Sequence, residues 1–123
     1  MNIIDSSGWL EYFSGGPNAN HYLPPLNDPS SLIVPVITIY EVFKVVLRES
    51  AENEALQAVS AMQKGIIIDL NANLAMDASK LSLKHNLRMA DSIILATARA
   101  HNCVIWTQDS DFQDIENVNY FPV

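Results

Sequence analysis

The stretch NIIDSSGWLEYF, Asn2 to Phe13, joins a short apolar run to a helical pattern. A short continuous apolar run is typical of a strand that is covered on both faces, as in a parallel sheet packed between helices. The run ends directly at a carboxylate, Asp5. The stretch therefore predicts a strand followed by a helix, with an ionisable residue at the carboxyl end of a buried strand.

Similar apolar runs recur at 32–34, 65–70, 103–107 and, more weakly, 118–121. Helical patterns separate them at 35–50, 51–65, 73–86 and 88–102, whereas 14–31 is rich in Gly, Pro, Asn and Ser and is predicted to be a loop or a short helix between loops. Strands that alternate with helices are joined by right-handed crossovers and form a parallel sheet. The sequence predicts an α/β fold, a three-layer α/β/α sandwich with a parallel sheet of about five strands.

The 123 residues fit one domain, 1–123, and no apolar run approaches the ~20 residues of a membrane span. No segment resembles a secretory signal, so we expect a cytoplasmic protein with no membrane partner. Cys103 lies within an apolar run and is predicted to be a small buried side chain. The formal charge of −7 has the wrong sign for holding a polyanion by bulk electrostatics. A nucleic-acid substrate would require bound cations or a partner chain.

Asp5 and Asp109 follow two of the predicted strands. The carboxyl ends of parallel strands meet at one edge of a sheet, where ligands bind, so both carboxylates are candidates for one site. Asp5 could instead be a helix N-cap, a role that Ser6 or Ser7 could also fill.

Glu41 is a candidate because it shares an apolar helical stripe with Ile37 and Val45. Burying a charge there is costly unless it is paired or binds a metal. Thr38 and Glu41 also fit a capping box, which would make Glu41 a helix-start residue. Pro35 argues against that alternative, because a helix that begins there puts Glu41 in its second turn.

Asp91 lies on the same helical face as Ile94, Leu95 and Ala98. The alternative is a favourable acidic residue in the first turn of a helix that begins near Arg88. A carboxylate in the first turn can serve both roles.

Three acids follow the last strong strand, Asp109, Asp111 and Asp114. Asp109 is the nearest to the strand end, Asp111 is the next candidate, and Asp114 is expected to be solvated. An EF-hand loop is excluded because it needs Gly at its sixth position, where this chain has Asp114.

Carboxylates brought together without a balancing cation resist ionising unless a metal binds. Sites made only of oxygen ligands favour hard ions, so the sequence predicts Mg²⁺ or Mn²⁺. Neither a phosphate-binding loop nor a serine-hydrolase elbow is present.

Three segments, IIDSSGWLEYF, PVITIYEV and MADSIILATARAHNCVIWTQDSDF, together resemble a PIN domain. More narrowly, the chain resembles the toxin ribonuclease of a VapBC-type toxin–antitoxin pair. The resemblance implies a five-stranded parallel sheet, an acidic pocket for Mg²⁺ or Mn²⁺, a homodimer, a cognate antitoxin and cleavage of RNA, for example tRNA or rRNA. By matching position it makes Asp5, Glu41, Asp91 and Asp109 the catalytic and metal-binding acids. Ser7 and Thr107 match supporting hydroxyls, and Asp111 or Asp114 could replace Asp109 as the fourth acid.

The resemblance thus implies a metal-dependent endoribonuclease that acts as a toxin. The alternative is a PIN-like scaffold that binds RNA or protein without cleaving it, although the presence of all four acids argues against an inactive pocket. A phosphoacceptor receiver domain would need an adjacent acidic pair and a late lysine, which this chain lacks. A basic rim could come from Lys44, Arg48, Lys84, Arg88 and Arg99, or these could be solvated helix faces. An antitoxin groove could include Trp9, Tyr12, Phe13 and Tyr40, of which at least two are expected in the core.

Overall fold

The computed structural model describes residues 1–123. Its strands are β1 (Asn2–Ile4), β2 (Leu32–Pro35), β3 (Ile66–Ile68), β4 (Val104–Thr107) and β5 (Val118–Tyr120). Its helices are α1 (Ser6–Ser14), α2 (Leu23–Leu26), α3 (Val36–Glu49), α4 (Glu52–Met62), α5 (Ala72–His85) and α6 (Met89–Ala100). Short 3₁₀ turns lie at Ala19–Tyr22, Pro29–Ser31 and Ser110–Phe112.

The five strands form one sheet in the order β3-β2-β1-β4-β5, and every neighbouring pair is parallel. β1 is central, and its Ile3 is in register with Ile33 of β2 and Ile105 of β4. The predicted α/β fold with a parallel five-stranded sheet is confirmed. The carboxyl ends of β1 and β4 are therefore neighbours, which brings Asp5 close to the residues that follow Thr107.

Successive residues of β1 pack into two different cores, because strand side chains alternate between the two faces of a sheet. Ile3 packs in a cluster that includes Leu95 of α6, whereas Ile4 packs in a cluster that includes Trp9 of α1 and Val42 of α3. The sheet is thus covered by helices on both faces, which explains the continuous apolarity of its central strands.

The edge strand β3 departs from the expectation that every apolar run is buried on both faces. Ile66 and Ile67 are 39% and 36% exposed. β3 has only β2 as a neighbour, so its outer side lies open. It is also shorter than the predicted run at 65–70. Gly65, just before it, is required by packing, because a Cβ there would lie 2.8 Å from both Leu32 O and Val34 Cγ2.

The start of α3 excludes the capping box considered for Glu41. Pro35 is the residue before the helix and Val36 is its first residue. The Thr38 hydroxyl donates to Pro35 O at 2.7 Å, as a side chain within the first turn can. Glu41 therefore lies in the second turn, as Pro35 predicted.

The segment at 14–31 forms short helical turns, and it contributes a core residue, Tyr22, that has no exposed surface. Cys103 is buried as predicted, and burial raises its pKa. None of the helices is both long enough and apolar enough to cross a membrane.

Candidate active site

Asp5 lies at the junction of β1 and α1 and is only 2% exposed. It is the N-cap of α1, and its Oδ1 accepts a hydrogen bond from Gly8 N at 2.9 Å. The Ser7 hydroxyl donates to the same carboxylate at 2.8 Å. The capping alternative for Asp5 is therefore correct, and capping also fixes this carboxylate at the carboxyl edge of the sheet.

Thr107, the last residue of β4, joins the ends of two strands through one buried hydroxyl. Its Oγ1 donates to Asp5 Oδ2 at 2.7 Å and accepts from Asp109 N at 2.9 Å. The pKa of Asp5 is raised to about 6 by burial, whereas the hydrogen bonds from Thr107, Gly8 and Ser7 lower it. Burial thus outweighs the hydrogen bonds, because desolvation disfavours the charged form.

Glu41 is half-buried in the second turn of α3, where the Ser6 hydroxyl donates to its Oε1 at 2.5 Å. From its position in the sequence, Ser6 was only a possible N-cap of the first helix. The one sequence feature that pointed to Ser6 was its position directly after Asp5. Its contact with Glu41 spans 35 residues, so no local pattern shows it.

Asp91 lies in the first turn of α6 and is half-buried. Its pKa is raised to about 7, first by burial and then by the charges of three other carboxylates, those of Asp109, Asp5 and Glu41. Arg88 opposes this rise. The four acids named from the sequence are therefore close enough to repel one another, and the first-turn position of Asp91 is also confirmed.

A tighter group forms where α6 begins and β4 ends. One carboxylate oxygen each from Asp91, Asp109 and Asp111 lie within 4.8 Å of one another. The 3₁₀ turn after β4 brings Asp111 back toward Asp91, and Asp109 Oδ1 accepts from Asp111 N at 2.9 Å to cap that turn. We call these three residues the acidic trio.

Asp109 and Asp111 thus both join the trio, whereas the structure separates Asp114 from it. Asp114 lines another cavity with Lys84 and Arg99, close to Cys103 and Asn117 at the amino ends of β4 and β5. Asp114 is exposed, as expected. Asp5 and Glu41 lie beside the trio and not within it.

The donors of the trio fit a hard divalent cation. They are carboxylate oxygens only, which Mg²⁺ and Mn²⁺ prefer over softer ligands. Burial first, and neighbouring carboxylates second, raise the pKa values of Asp5 and Asp91, so a bound cation would favour the ionised form of both. No histidine or cysteine joins a group that could hold a metal.

The metal-free protein should become less stable as the pH rises from about 4 to about 7. Asp91 has a folded-state pKa of about 7 against an ordinary 3.8, and Asp5 one of about 6. Between these limits the folded chain binds more protons than the unfolded chain, so stability falls with pH. The fall should exceed about 1 kcal/mol, since one pKa unit is worth about 1.4 kcal/mol.

Urea unfolding in EDTA at pH 5 and pH 8 measures this difference. The Asp91→Asn variant should show a smaller fall, and Mn²⁺ should restore stability at pH 8. An equal free energy of unfolding at the two pH values would contradict the prediction.

A cleft of about 830 Å³ lies between α1, α3 and α4. Its lining includes Ser7, whose hydroxyl donates to Asp5, and Gln108. Three acidic residues also line it, Glu11, Glu49 and Glu54. Among the four aromatic residues suggested for a groove, Trp9 is in the core and Phe13 lines this cleft. Tyr12 and Tyr40 are exposed.

The proposed basic rim is mostly dispersed. Arg48 pairs with its neighbour Glu49 at 3.4 Å, and Lys44 lies 5.7 Å from the centre of the Tyr40 ring. Lys84 and Arg99 line the separate cavity with Asp114. Only Arg88 pairs with a member of the trio, through its Nη2 and Asp111 Oδ2 at 3.4 Å.

The PIN-domain family model matches residues 3–118 of the chain. No curated protein gives a significant match.

Three solved structures resemble the whole chain. A toxin–antitoxin complex from Klebsiella pneumoniae is 25% identical over 100% of both chains, with a TM-score of 0.84. VapC20 of Mycobacterium tuberculosis, described as a sarcin-ricin loop cleaving toxin, is 15% identical over 100% of this chain and 98% of its own, with a TM-score of 0.81. VapBC2 of Rickettsia felis, bound to a DNA fragment from its promoter, is 15% identical over 98% of this chain and 97% of its own, with a TM-score of 0.75.

Proposed function

The chain belongs to the PIN-domain family, and on that premise we propose that it is a metal-dependent endoribonuclease, the toxin of a toxin–antitoxin pair. The observation that supports this most strongly is the convergence of Asp5, Glu41, Asp91, Asp109 and Asp111 on one edge of the sheet. The similarity of the whole chain to toxin–antitoxin structures supports the toxin role.

In this proposal Asp91, Asp109 and Asp111 hold the divalent ion. A bound Mg²⁺ or Mn²⁺ supplies Lewis acidity, which lowers the pKa of an attacking water and stabilises charge on the phosphate. Asp5 lies beside the trio, where its buried charge favours the binding of a cation. Asp5 also accepts a hydrogen bond from Thr107, which in turn holds the backbone N of Asp109.

Glu41 is our candidate for the proton acceptor. It lies beside the trio, and its only hydrogen bond is from Ser6. A carboxylate that is not committed to the ion can take the proton of the attacking water when it lies within hydrogen-bond reach. Ser6 would keep the Glu41 carboxylate turned toward the end of β1.

RNA is the proposed substrate class, with tRNA or rRNA as candidates. The similarity to VapC20, a toxin that cleaves the sarcin-ricin loop, supports a structured RNA target. A chain with a formal charge of −7 would depend on the bound ion to attract the scissile phosphate. Without a bound metal ion, the chain should therefore bind RNA weakly.

The cleft between α1, α3 and α4 is the proposed binding site of an antitoxin. Glu11, Glu49 and Glu54 line it, and only Glu49 pairs with a basic side chain, so a complementary segment would carry basic side chains. Phe13 offers an apolar contact at its wall. A homodimer and a cytoplasmic location are further parts of this proposal.

The test is cleavage of a mixed RNA pool by the purified chain in Mg²⁺ or Mn²⁺, beside an EDTA control. Cleavage should require the metal. Asp114→Asn is a matched control, because Asp114 is an acid outside the trio, and it should leave cleavage unchanged. Expression of the chain alone should also arrest growth, and co-expression of its cognate antitoxin should relieve the arrest.

Absence of cleavage with Mn²⁺ still bound would favour the alternative of a PIN-like scaffold that does not cleave RNA. Cleavage that persists in EDTA would contradict the proposal, and it would indicate a contaminating nuclease.

A further inference from the structure

Arg88 occupies a special position among the seven basic residues of the chain. It is the residue that precedes α6, in an extended conformation, three residues before Asp91. Its guanidinium pairs with Asp111, and the carboxylates of Asp111, Asp91 and Asp109 raise the pKa of Arg88. Arg88 is thus the basic residue that lies at the acidic trio.

The Asp111 carboxylate would have to interact with two cations, the divalent ion and the Arg88 guanidinium. Asp111 contributes an oxygen to the trio, within 4.8 Å of Asp91 and Asp109, and its Oδ2 is also 3.4 Å from Arg88 Nη2. A divalent ion among the three carboxylates would repel the guanidinium. The Arg88 side chain is 82% exposed, and an exposed ion pair of this kind is easily broken.

A released guanidinium would be well suited to an RNA phosphate. Arginine presents a planar fork of donors that matches phosphate oxygens. The other residues considered for a basic rim have other surroundings: Arg48 pairs with Glu49, Lys44 lies 5.7 Å from the centre of the Tyr40 ring, and Lys84 and Arg99 line the separate cavity. In a chain of charge −7, one cation beside the site has a large share of the local positive field.

We infer that Arg88 is an exchange residue that pairs with Asp111 until a divalent ion binds, and then contacts a phosphate of the RNA. This inference rests on the proposed ribonuclease function and adds a substrate-binding role for Arg88. It predicts that loss of the guanidinium has opposite effects on the two ligands. Metal binding should become tighter, because a competing cation is removed, and RNA binding should become weaker.

The first measurement is Mn²⁺ affinity without RNA, by electron paramagnetic resonance titration. Arg88→Gln should bind Mn²⁺ more tightly by on the order of 3- to 10-fold. Arg88→Lys keeps the charge and should remain close to the unmodified chain. Arg99→Gln removes an equivalent charge from the last turn of α6, at the opposite end of the helix from Arg88, and serves as the matched control.

The second measurement is RNA affinity in saturating Mn²⁺, in a Glu41→Gln background that slows cleavage and leaves the trio intact. Arg88→Gln should weaken binding about 10-fold. It should also reduce the magnitude of the slope of log affinity against log salt by about 0.7 to 0.9, the value for the loss of one phosphate contact. Arg88→Lys should lose less affinity than Arg88→Gln.

The outcomes separate this inference from the proposed function. If the unmodified chain binds Mn²⁺ and cleaves RNA, but Arg88→Gln behaves like Arg99→Gln, the inference is wrong and the ribonuclease function stands. Weaker Mn²⁺ binding by Arg88→Gln would assign Arg88 a purely structural role before α6 and would also overturn the inference. If the unmodified chain neither binds Mn²⁺ nor cleaves RNA, the proposed function fails and the inference fails with it.

Discussion

Replacing Asp91 by asparagine is expected to lower RNA cleavage by at least about 100-fold, the upper range for residues that only support metal ligands. Asp91 belongs to the trio of carboxylates, and it is also the acid whose pKa is raised to about 7. The amide removes one charge from the proposed ion site and keeps nearly the same shape. Initial cleavage rates in Mn²⁺ test this prediction, and the affinity for Mn²⁺ is measured in parallel.

The same substitution should make the metal-free protein more stable at pH 8. The ionised Asp91 carboxylate is half-buried and repelled by Asp109, Asp5 and Glu41, so its charge costs folding free energy. The neutral amide avoids that cost. A variant that is more stable and yet inactive cannot have lost activity through misfolding.

Asp114→Asn provides the control, because it removes the same charge from an exposed acid that lines a different cavity. It should leave the cleavage rate unchanged. If Asp91→Asn cleaved RNA at the rate of the unmodified chain, the trio could not be the catalytic site. If it were less stable at pH 8, the repulsion among the carboxylates would be refuted.

The positions of the main acids could be predicted because they follow from the chain direction. Parallel strands with adjacent carboxyl ends bring Asp5 and Asp109 to one edge, whatever the details of the loops. Pro35 fixed the start of α3 closely enough to exclude the capping box for Glu41. Helical spacing put Asp91 on the same face of α6 as Ile94 and Leu95, and in the structure both of these are buried and Asp91 is half-buried.

Other features depend on contacts that local pattern cannot show. Asp111 joins the trio only because a 3₁₀ turn reverses the chain after β4, and its partner Arg88 is 23 residues away. The exposure of Ile66 in β3 depends on strand order, which an apolar run does not encode. Tyr22 is buried although it comes from a segment whose composition indicates a loop.

Replacing Thr107 by valine is expected to have the largest effect on stability, about 2 to 3 kcal/mol, because it removes a buried hydroxyl that serves two groups. Valine has a similar shape, but Asp109 N would lose its acceptor and Asp5 Oδ2 would keep only the Ser7 hydroxyl. Among the hydrogen bonds that lower the pKa of Asp5, the one from Thr107 is the largest. The pKa of Asp5 should therefore rise further above its value of about 6.

A higher folded-state pKa of a carboxyl group means that stability falls over a wider pH range, and therefore further, as the pH rises. In EDTA, the loss of unfolding free energy in Thr107→Val should therefore be larger at pH 8 than at pH 5. Cleavage in Mn²⁺ should fall about 10- to 100-fold, as expected when a group that orients a metal ligand is removed.

Thr97→Val is the matched control, because Thr97 is also buried and its hydroxyl donates only to Ile93 O, at 2.8 Å. It should cost about 1 kcal/mol at both pH values and leave the cleavage rate unchanged. Thr107→Ser keeps the hydroxyl and should restore the pH dependence of the unmodified chain. Equal losses in Thr107→Val and Thr97→Val at pH 5 and pH 8 would show that Thr107 does not couple Asp5 to Asp109. A larger loss confined to Thr107→Val at pH 8 would show that this hydroxyl favours the ionised form of Asp5, the form that a metal ion requires.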